Sequence, residues 1–287
     1  MKFVDPKNDI AFKKIFGSED TKEILMSFLN AVLDFKQDKT IVDVSLANPY
    51  QVPKIEALKE TILDIKATNR GGEHFIVEMQ KKNLGNFAKR SLYYTSKAYV
   101  EQLNKGNDYN QLKKVYFIGL LSFDMFDNED YISRHLILNQ ATLKQEIKDF
   151  EFTFIELSKF NKALEDLNSN LDKWLFFIKN AQDLTLVPKV FSNNDVFKQA
   201  FAVASQYQWN QQELDVYDYM LLKEFDETNA LKTAEKKGEE RGEKIGKEIG
   251  DKQASIRIAQ NLLKQGIAIN IIVLSTGLSK ADIKALP

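Results

Sequence analysis

From Glu60 to Gln80, apolar and polar residues alternate with period two on both sides of Asn69-Arg70-Gly71-Gly72-Glu73. This predicts two half-buried β-strands joined by a tight turn. A three-residue loop, Arg70 to Gly72, sets Asn69 opposite Glu73. The ladder then continues with Ala67 opposite Phe75, Ile65 opposite Val77 and Leu63 opposite Met79. That register gathers most of the large apolar side chains on one face. A slip of one residue would scatter them over both, so the hydrophobic pattern selects the register. On the other face Asp64 meets Glu78, Lys66 meets Ile76 and Ile62 meets Gln80.

Two carboxylates are thereby placed side by side. Directly opposed Cβ atoms lie roughly 4.5–5.5 Å apart, where like charges destabilise a sheet. A divalent cation, a neighbouring lysine or protonation of one acid would compensate. Two carboxylates, with waters and a phosphate in the remaining positions, suit Mg²⁺, which rarely takes an all-protein cage. The other reading keeps Asp64 and Glu78 as solvated acids on an exposed face, with Lys66 diagonal to Glu78 in a surface ion pair worth about 0–1 kcal/mol.

Composition narrows the chemistry. The 287-residue chain has no cysteine, which excludes disulfides and cysteine-ligated zinc, and only two histidines. His74 and His135 are too far apart in sequence for a zinc-hydrolase constellation and read as structural or surface residues. No apolar run approaches the ~20 residues that span a bilayer, and the start Met1-Lys2-Phe3-Val4-Asp5-Pro6 lacks the apolar stretch of a signal peptide. The expectation is a cytoplasmic protein with no membrane partner.

Ile41 to Leu46, the hairpin, Lys114 to Phe123 and Phe150 to Leu157 read as about five strands, with helices before and after. The nearly continuous apolar run from Lys114 to Phe123 fits a strand buried on both faces. This order predicts an α/β fold with a mixed central sheet over residues 1–160. Residues 161–225 read as a helical extension packed on that core, with Trp174, Phe176 and Phe177 in one apolar segment and Leu214, Tyr217 and Leu221 in another.

Residues 226–252 are dominated by charge, with glycines at 238, 242, 246 and 250. Each glycine costs a helix about 0.8–1.0 kcal/mol against alanine. The strip reads either as a long solvated helix that self-associates into a homo-oligomer or as a flexible charged spacer. Residues 253–287 form a small helical module: a helix from Ala254 to Gln265 stopped by Gly266, a second from Ile269 to Ser275, and a third over Lys280 to Leu286 with Ser279 as N-cap. It resembles a helix-turn-helix, though a segment so poor in Arg and Asn fits a protein-interaction module equally well.

The order Asp64, hairpin, Glu78-Met79-Gln80 resembles the core motif of the PD-(D/E)XK nuclease superfamily, and the chain as a whole resembles its Rpn-type branch of recombination-promoting nucleases and transposase-like proteins. Asp9-Ile10-Ala11-Phe12-Lys13-Lys14-Ile15-Phe16-Gly17 and Leu25-Met26-Ser27-Phe28-Leu29-Asn30 are similar to that branch's opening helices. Phe87, Arg90, Tyr93 and Tyr94, then Gln102-Leu103 through Gly106 and Tyr109, resemble its next helix and exit. Glu156-Leu157-Ser158-Lys159-Phe160, Trp174 and Thr276-Gly277-Leu278-Ser279 complete a likeness over nearly the whole chain.

The resemblance implies a restriction-endonuclease-like core and a Mg²⁺-dependent DNA endonuclease, with Mn²⁺ as substitute, linked to recombination, transposition or defence against mobile DNA. Asp64 and Glu78 would hold the metal, with the Met79 carbonyl as third ligand, and Gln80 would position water where the superfamily usually carries lysine. Lys66, Lys81 or Lys82 would then stabilise charge. Asp9 is an outer acid or a helix cap, the capping reading being favoured. The net charge is −1, so cations for DNA must be concentrated locally. Lys81, Lys82, Lys89, Arg90 and Lys97 do so, on the motif's exit and on a helix expected from about Leu84 to Asn104 in which Phe87, Tyr94 and Ala98 recur at spacings of seven and four. Arg90 and Tyr94, four apart on one face, are accessory candidates. The competing classes are a catalytically inactive DNA- or protein-binding factor on the same scaffold and an assembly factor acting through its tail.

Overall fold

The computed structural model describes residues 2–47, 50–51, 61–83 and 85–286. Expected element starts at Glu60 and Leu84 lie outside them. Two helices come first, α1 (Asp9–Phe16) and α2 (Lys22–Leu33). There follow the strands β1 (Val44–Leu46), β2 (Tyr50–Gln51), β3 (Thr61–Ile62), β4 (Ile65–Asn69) and β5 (His74–Gln80). The helix α3 (Phe87–Val100) leads to β6 (Val115–Leu121), β7 (Ile132–Leu136) and β8 (Phe150–Glu156). The remainder is helical: α4 (Asn170–Asn180), α5 (Asp195–Ala204), α6 (Gln211–Lys264), α7 (Ile269–Thr276) and α8 (Lys280–Lys284). The chain divides into two compact units, Met1–Tyr219 and Met220–Pro287.

In the first unit, six strands form one mixed sheet in the order β1-β4-β5-β6-β8-β7. The hairpin has the register that the alternation requires, with Ile65 opposite Val77, Lys66 opposite Ile76 and Ala67 opposite Phe75. The ladder stops there, one residue short of Asp64. The chain bends at Asp64, so Leu63 does not continue opposite Met79 but is buried in a cluster with Ile76, Phe87 and Phe117. Ile62 pairs through its backbone with Tyr50 in a separate two-stranded sheet rather than with Gln80. Strand β6, buried throughout, runs parallel to β5 and β8 at the sheet centre. Strand β7 was not expected: Ile-Ser-Arg-His-Leu has neither an apolar run nor a clean alternation, as befits an edge strand with one neighbour and much of its surface in solvent.

Gly119 on β6 lies between Glu78 of β5 and Phe154 of β8. A Cβ there would come within 3.0 Å of the Phe154 ring, 3.1 Å of Phe87 and 3.3 Å of Phe117. Gly119→Ala should therefore destabilise the protein by about 1–3 kcal/mol through overpacking, read as a lowered urea midpoint.

The helices α1, α2, α4 and α5 share an aromatic core. Trp174 of α4 is wholly buried, with ring centroids 5.7 Å from Phe16, 6.3 Å from Phe28 and 4.3 Å from Phe197. Its indole N–H donates to Ser27 Oγ at 3.2 Å. Residues 161–225 thus hold α4, α5 and the start of α6, which begins at Gln211.

The helix α6 continues without a break through the charged stretch, and residues 229–253 are exposed at every position. Gly238, Gly242, Gly246 and Gly250 have open space where a Cβ would project. Replacing all four by alanine should stabilise the local helix by about 0.8–1.0 kcal/mol per site. Slower amide exchange across residues 229–253 would register it.

In the second unit, the end of α6 packs with α7 and α8 around Ala259, Ile272 and Ile283. Gly266 (φ +75) and Gly277 (φ +69) end the first two helices in the left-handed region that glycine tolerates. Ser279 caps α8 in a reciprocal capping box with Asp282. No helix among the described residues is long and apolar enough to cross a membrane.

Candidate active site

Where the β4–β5 ladder ends, side chains take over from backbone pairing. The Asp64 N–H donates to Glu78 Oε1 at 3.1 Å, and the Met79 N–H donates to Asp64 Oδ2 at 2.8 Å. This reciprocal pair draws the two carboxylates together. Glu78, only 4 % exposed, lies beneath α3, and Asp64 is half-buried at the bend. Burial first, and then the Asp64 charge, push the Glu78 carboxyl well above the ordinary range. Asp64 is pushed up by its own burial and by Asp9, against the Met79 hydrogen bond and Lys13, which favour its ionised form.

Among the described residues, the ammonium beside Asp64 is brought by the helix α1. Lys13 Nζ lies 2.7 Å from Asp9 Oδ1 and 3.6 Å from Asp64 Oδ1. Capping of α1 falls to Asn8, whose side chain accepts from the Ile10 N–H, and Asp9 instead holds Lys13. The favoured capping reading of Asp9 is corrected on this geometry. Lys66 is not diagonal to Glu78 in an ion pair but is bound to Glu101 Oε2 at 2.8 Å, beyond the end of α3. Lys81 reaches back to the buried Asp5 at 3.1 Å, and Lys82 offers its carbonyl to Gln80. Lys13 was missed because its proximity to Asp64 depends on how α1 packs. The only local signal was the Asp9/Lys13 spacing of four, which marks a helical ion pair.

Gln80, the last residue of β5, is held at both ends of its amide. Its Nε2 donates to the Lys82 carbonyl at 3.0 Å and its Oε1 accepts from Arg90 Nη1 at 3.3 Å. Arg90 Nε in turn donates to Tyr94 Oη at 3.1 Å. Arg90 and Tyr94 are thus brought to the motif, with the Arg90 charge acting on Glu78. Lys89 is exposed on α3, and Lys97 is half-buried one turn before its end. The histidines stand with other partners, His74 with Thr68 and His135 with Ser133 and the Phe126 ring.

A divalent cation fits this donor set. Two carboxylates desolvated side by side repel each other unless a proton or a cation lies between them, and both are oxygen donors suited to a hard metal. Among the described residues no group of three or more His, Asp or Glu is arranged as a metal cage. The pair therefore needs backbone oxygen, water or substrate to complete a coordination shell, as is usual for Mg²⁺.

Fold, carboxylate pair and glutamine-ended motif together describe a nuclease-like site on a mixed sheet. Residues 6–234 match the model of the PD-(D/E)XK nuclease family transposases, so the chain belongs to that family. Residues 252–287 match the C-terminal HTH domain of the Rpn/YhgA-like nuclease family, which makes the three-helix module a helix-turn-helix and sets the branch as Rpn-type. Comparisons with curated proteins and with solved structures gave no match.

Proposed function

We propose that this protein is a Mg²⁺-dependent DNA endonuclease that hydrolyses phosphodiester bonds at the Asp64–Glu78 pair. The observation that carries the reading is the convergence of the buried Glu78 carboxylate and the half-buried Asp64 carboxylate, which accept from the Asp64 and Met79 N–H groups respectively. Asp64 and Glu78 would hold the metal, with the Met79 carbonyl as the third ligand that the family likeness implies. A divalent ion held there would supply Lewis-acid activation of the attacking water and of the phosphoryl oxygen. Gln80, braced by the Lys82 carbonyl and Arg90, orients the attacking water. Lys89 and Lys97 offer charge to the phosphate backbone.

The helix-turn-helix supplies DNA affinity. Residues 252–287 carry Lys252, Arg257, Lys264, Lys280 and Lys284 against the single acid Asp282, in a chain of net charge −1. With base-reading side chains scarce, most of that affinity is to phosphate and falls steeply with salt. Roles in recombination, transposition or defence against mobile DNA follow from the family.

Gln80 in the usual lysine position favours one second reading, an inactive DNA-binding factor on the same scaffold. Nicking of supercoiled plasmid separates the two. Wild type should nick with Mg²⁺ or Mn²⁺ and stop with EDTA, and Asp64→Asn, which keeps an acceptor for the Met79 N–H, should lose about 10³-fold or more. Metal-independent nicking, or full activity in the variant, rejects the enzymatic reading, and a parallel RNA substrate tests the choice of nucleic acid.

A further inference from the structure

The hairpin has no lysine at the end of its motif, and Lys66, the one lysine on β4 and β5, is bound to Glu101. Among the described residues, the ammonium in contact with Asp64 comes from α1. We propose that Lys13 is the cation that stabilises charge on the scissile phosphodiester, and that Asp9 is the positioning residue that holds it there. The proposal rests on the nuclease reading above.

Three observations support it. The first is rigidity: Asn8 caps α1, while Ala11, Phe12, Ile15 and Phe16 are buried, so the helix presents Asp9 and Lys13 in one fixed orientation. Asp9 lies four residues N-terminal to Lys13, the better order for a helical ion pair. The second is position. The side chains of Lys13 and Asp9 are 37 % and 44 % exposed, against 17 % for Asp64, so the ammonium beside Asp64 is open to the solvent from which a phosphate arrives. The third is availability. An ammonium has three donors. The bond to Asp9 is short, whereas the 3.6 Å contact with Asp64 is longer than a charge-assisted hydrogen bond and readily yields to a phosphoryl oxygen. Lys14, the next residue, is turned elsewhere, paired with Glu213 and lying over the Trp209 ring. The two lysines of α1 therefore have separate tasks.

In the reaction, the oxygen of water forms a bond to phosphorus as the bond from phosphorus to the leaving nucleoside oxygen breaks. The proton of the water passes to solvent, and the departing alkoxide takes one from solvent. Lys13 stays protonated and acts on the negative charge that accumulates on the phosphoryl oxygens.

The test uses the full chain with Lys13→Met, which keeps the aliphatic stem, together with Lys13→Arg and Asp9→Asn. Plasmid nicking, Mn²⁺ affinity from the electron paramagnetic resonance of the free ion, and thermal melts are measured for each. Lys13→Met should lower the nicking rate by about 10²-fold, Asp9→Asn by about 3–10-fold, and Lys13→Arg should stay within about tenfold of wild type. Mn²⁺ should bind Lys13→Met as tightly as wild type or more tightly, because a competing cation has left Asp64. The proposal is overturned if Lys13→Met nicks at the wild-type rate, if Lys13→Arg is no better than Lys13→Met, or if Mn²⁺ affinity falls with activity, which would make Lys13 an organiser of the acids. An active wild type with an equally active Lys13→Met rejects this inference alone. A wild type that never nicks removes the nuclease reading with it.

Discussion

Glu78→Gln should abolish Mg²⁺-dependent nicking, by about 10³-fold or more, and at the same time stabilise the metal-free protein at pH 8. The amide keeps the shape of the side chain and an oxygen to accept from the Asp64 N–H, so the fold has no steric reason to change. What disappears is a negative charge beside Asp64 in a desolvated position. In the folded protein Glu78 is raised to about 8 and Asp64 to about 6, by burial first and then by neighbouring acid. Unfolded carboxyl groups titrate near 4. Between those values the folded state binds more protons than the unfolded one, so the stability contributed by the pair is present below about pH 4 and is lost as pH rises through 6 to 8. The wild type in EDTA should therefore weaken over that range, and Glu78→Gln should hold stability better, by on the order of 2 kcal/mol at pH 8. Added Mg²⁺ should raise the melting temperature of the wild type at pH 8 and leave that of the variant unchanged. Urea denaturation in EDTA at pH 5 and pH 8 decides the matter. A variant less stable than wild type at pH 8 would show that the acids are compensated from within the protein and have no need of a cation.

Trp174→Ala should remove about 3–5 kcal/mol, a large part of the 5–15 kcal/mol that stabilises a typical domain. Trp174 is wholly buried between Phe16 of α1, Phe28 of α2, Phe177 of its own helix and Phe197 of α5. Four rings from four helices cannot collapse together into the space it leaves, so the loss combines transfer and cavity terms. The indole N–H also satisfies Ser27, whose hydroxyl would lose its partner. Trp174→Phe should cost less than half as much. Urea midpoints should move while the slope stays constant, and a shift of less than about 1 kcal/mol would contradict the packing described. The site is coupled to this core, because α1 carries both Phe16 and Lys13. Loosening of the aromatic cluster should therefore lower nicking at temperatures where most of the protein is still folded.

The hairpin was legible because both of its constraints are local. Alternation assigns each residue to a face, and the three-residue turn sets the register, so Ile65 meets Val77 and the acids at 64 and 78 are brought to one place. The buried strand after Lys114 and the stops at Gly266 and Gly277 were legible for the same reason, an apolar run in one case and backbone conformation in the other. Strand β7 carries no such pattern, since an edge strand with solvent on its open side has little need of one.

Ion-pair partners belong to a different category. Lys66 points to the face that period two assigns, yet it binds Glu101, thirty-five residues on. Lys13 reaches Asp64 from a helix about fifty residues upstream. A long flexible ammonium chooses among acids by proximity in space, and that proximity is decided when helices pack on the sheet. Periodicity along the chain therefore determined the hairpin, its register and the meeting of Asp64 with Glu78. Only the tertiary structure decided that Lys13 comes to Asp64, because that choice depends on distances between elements remote in sequence.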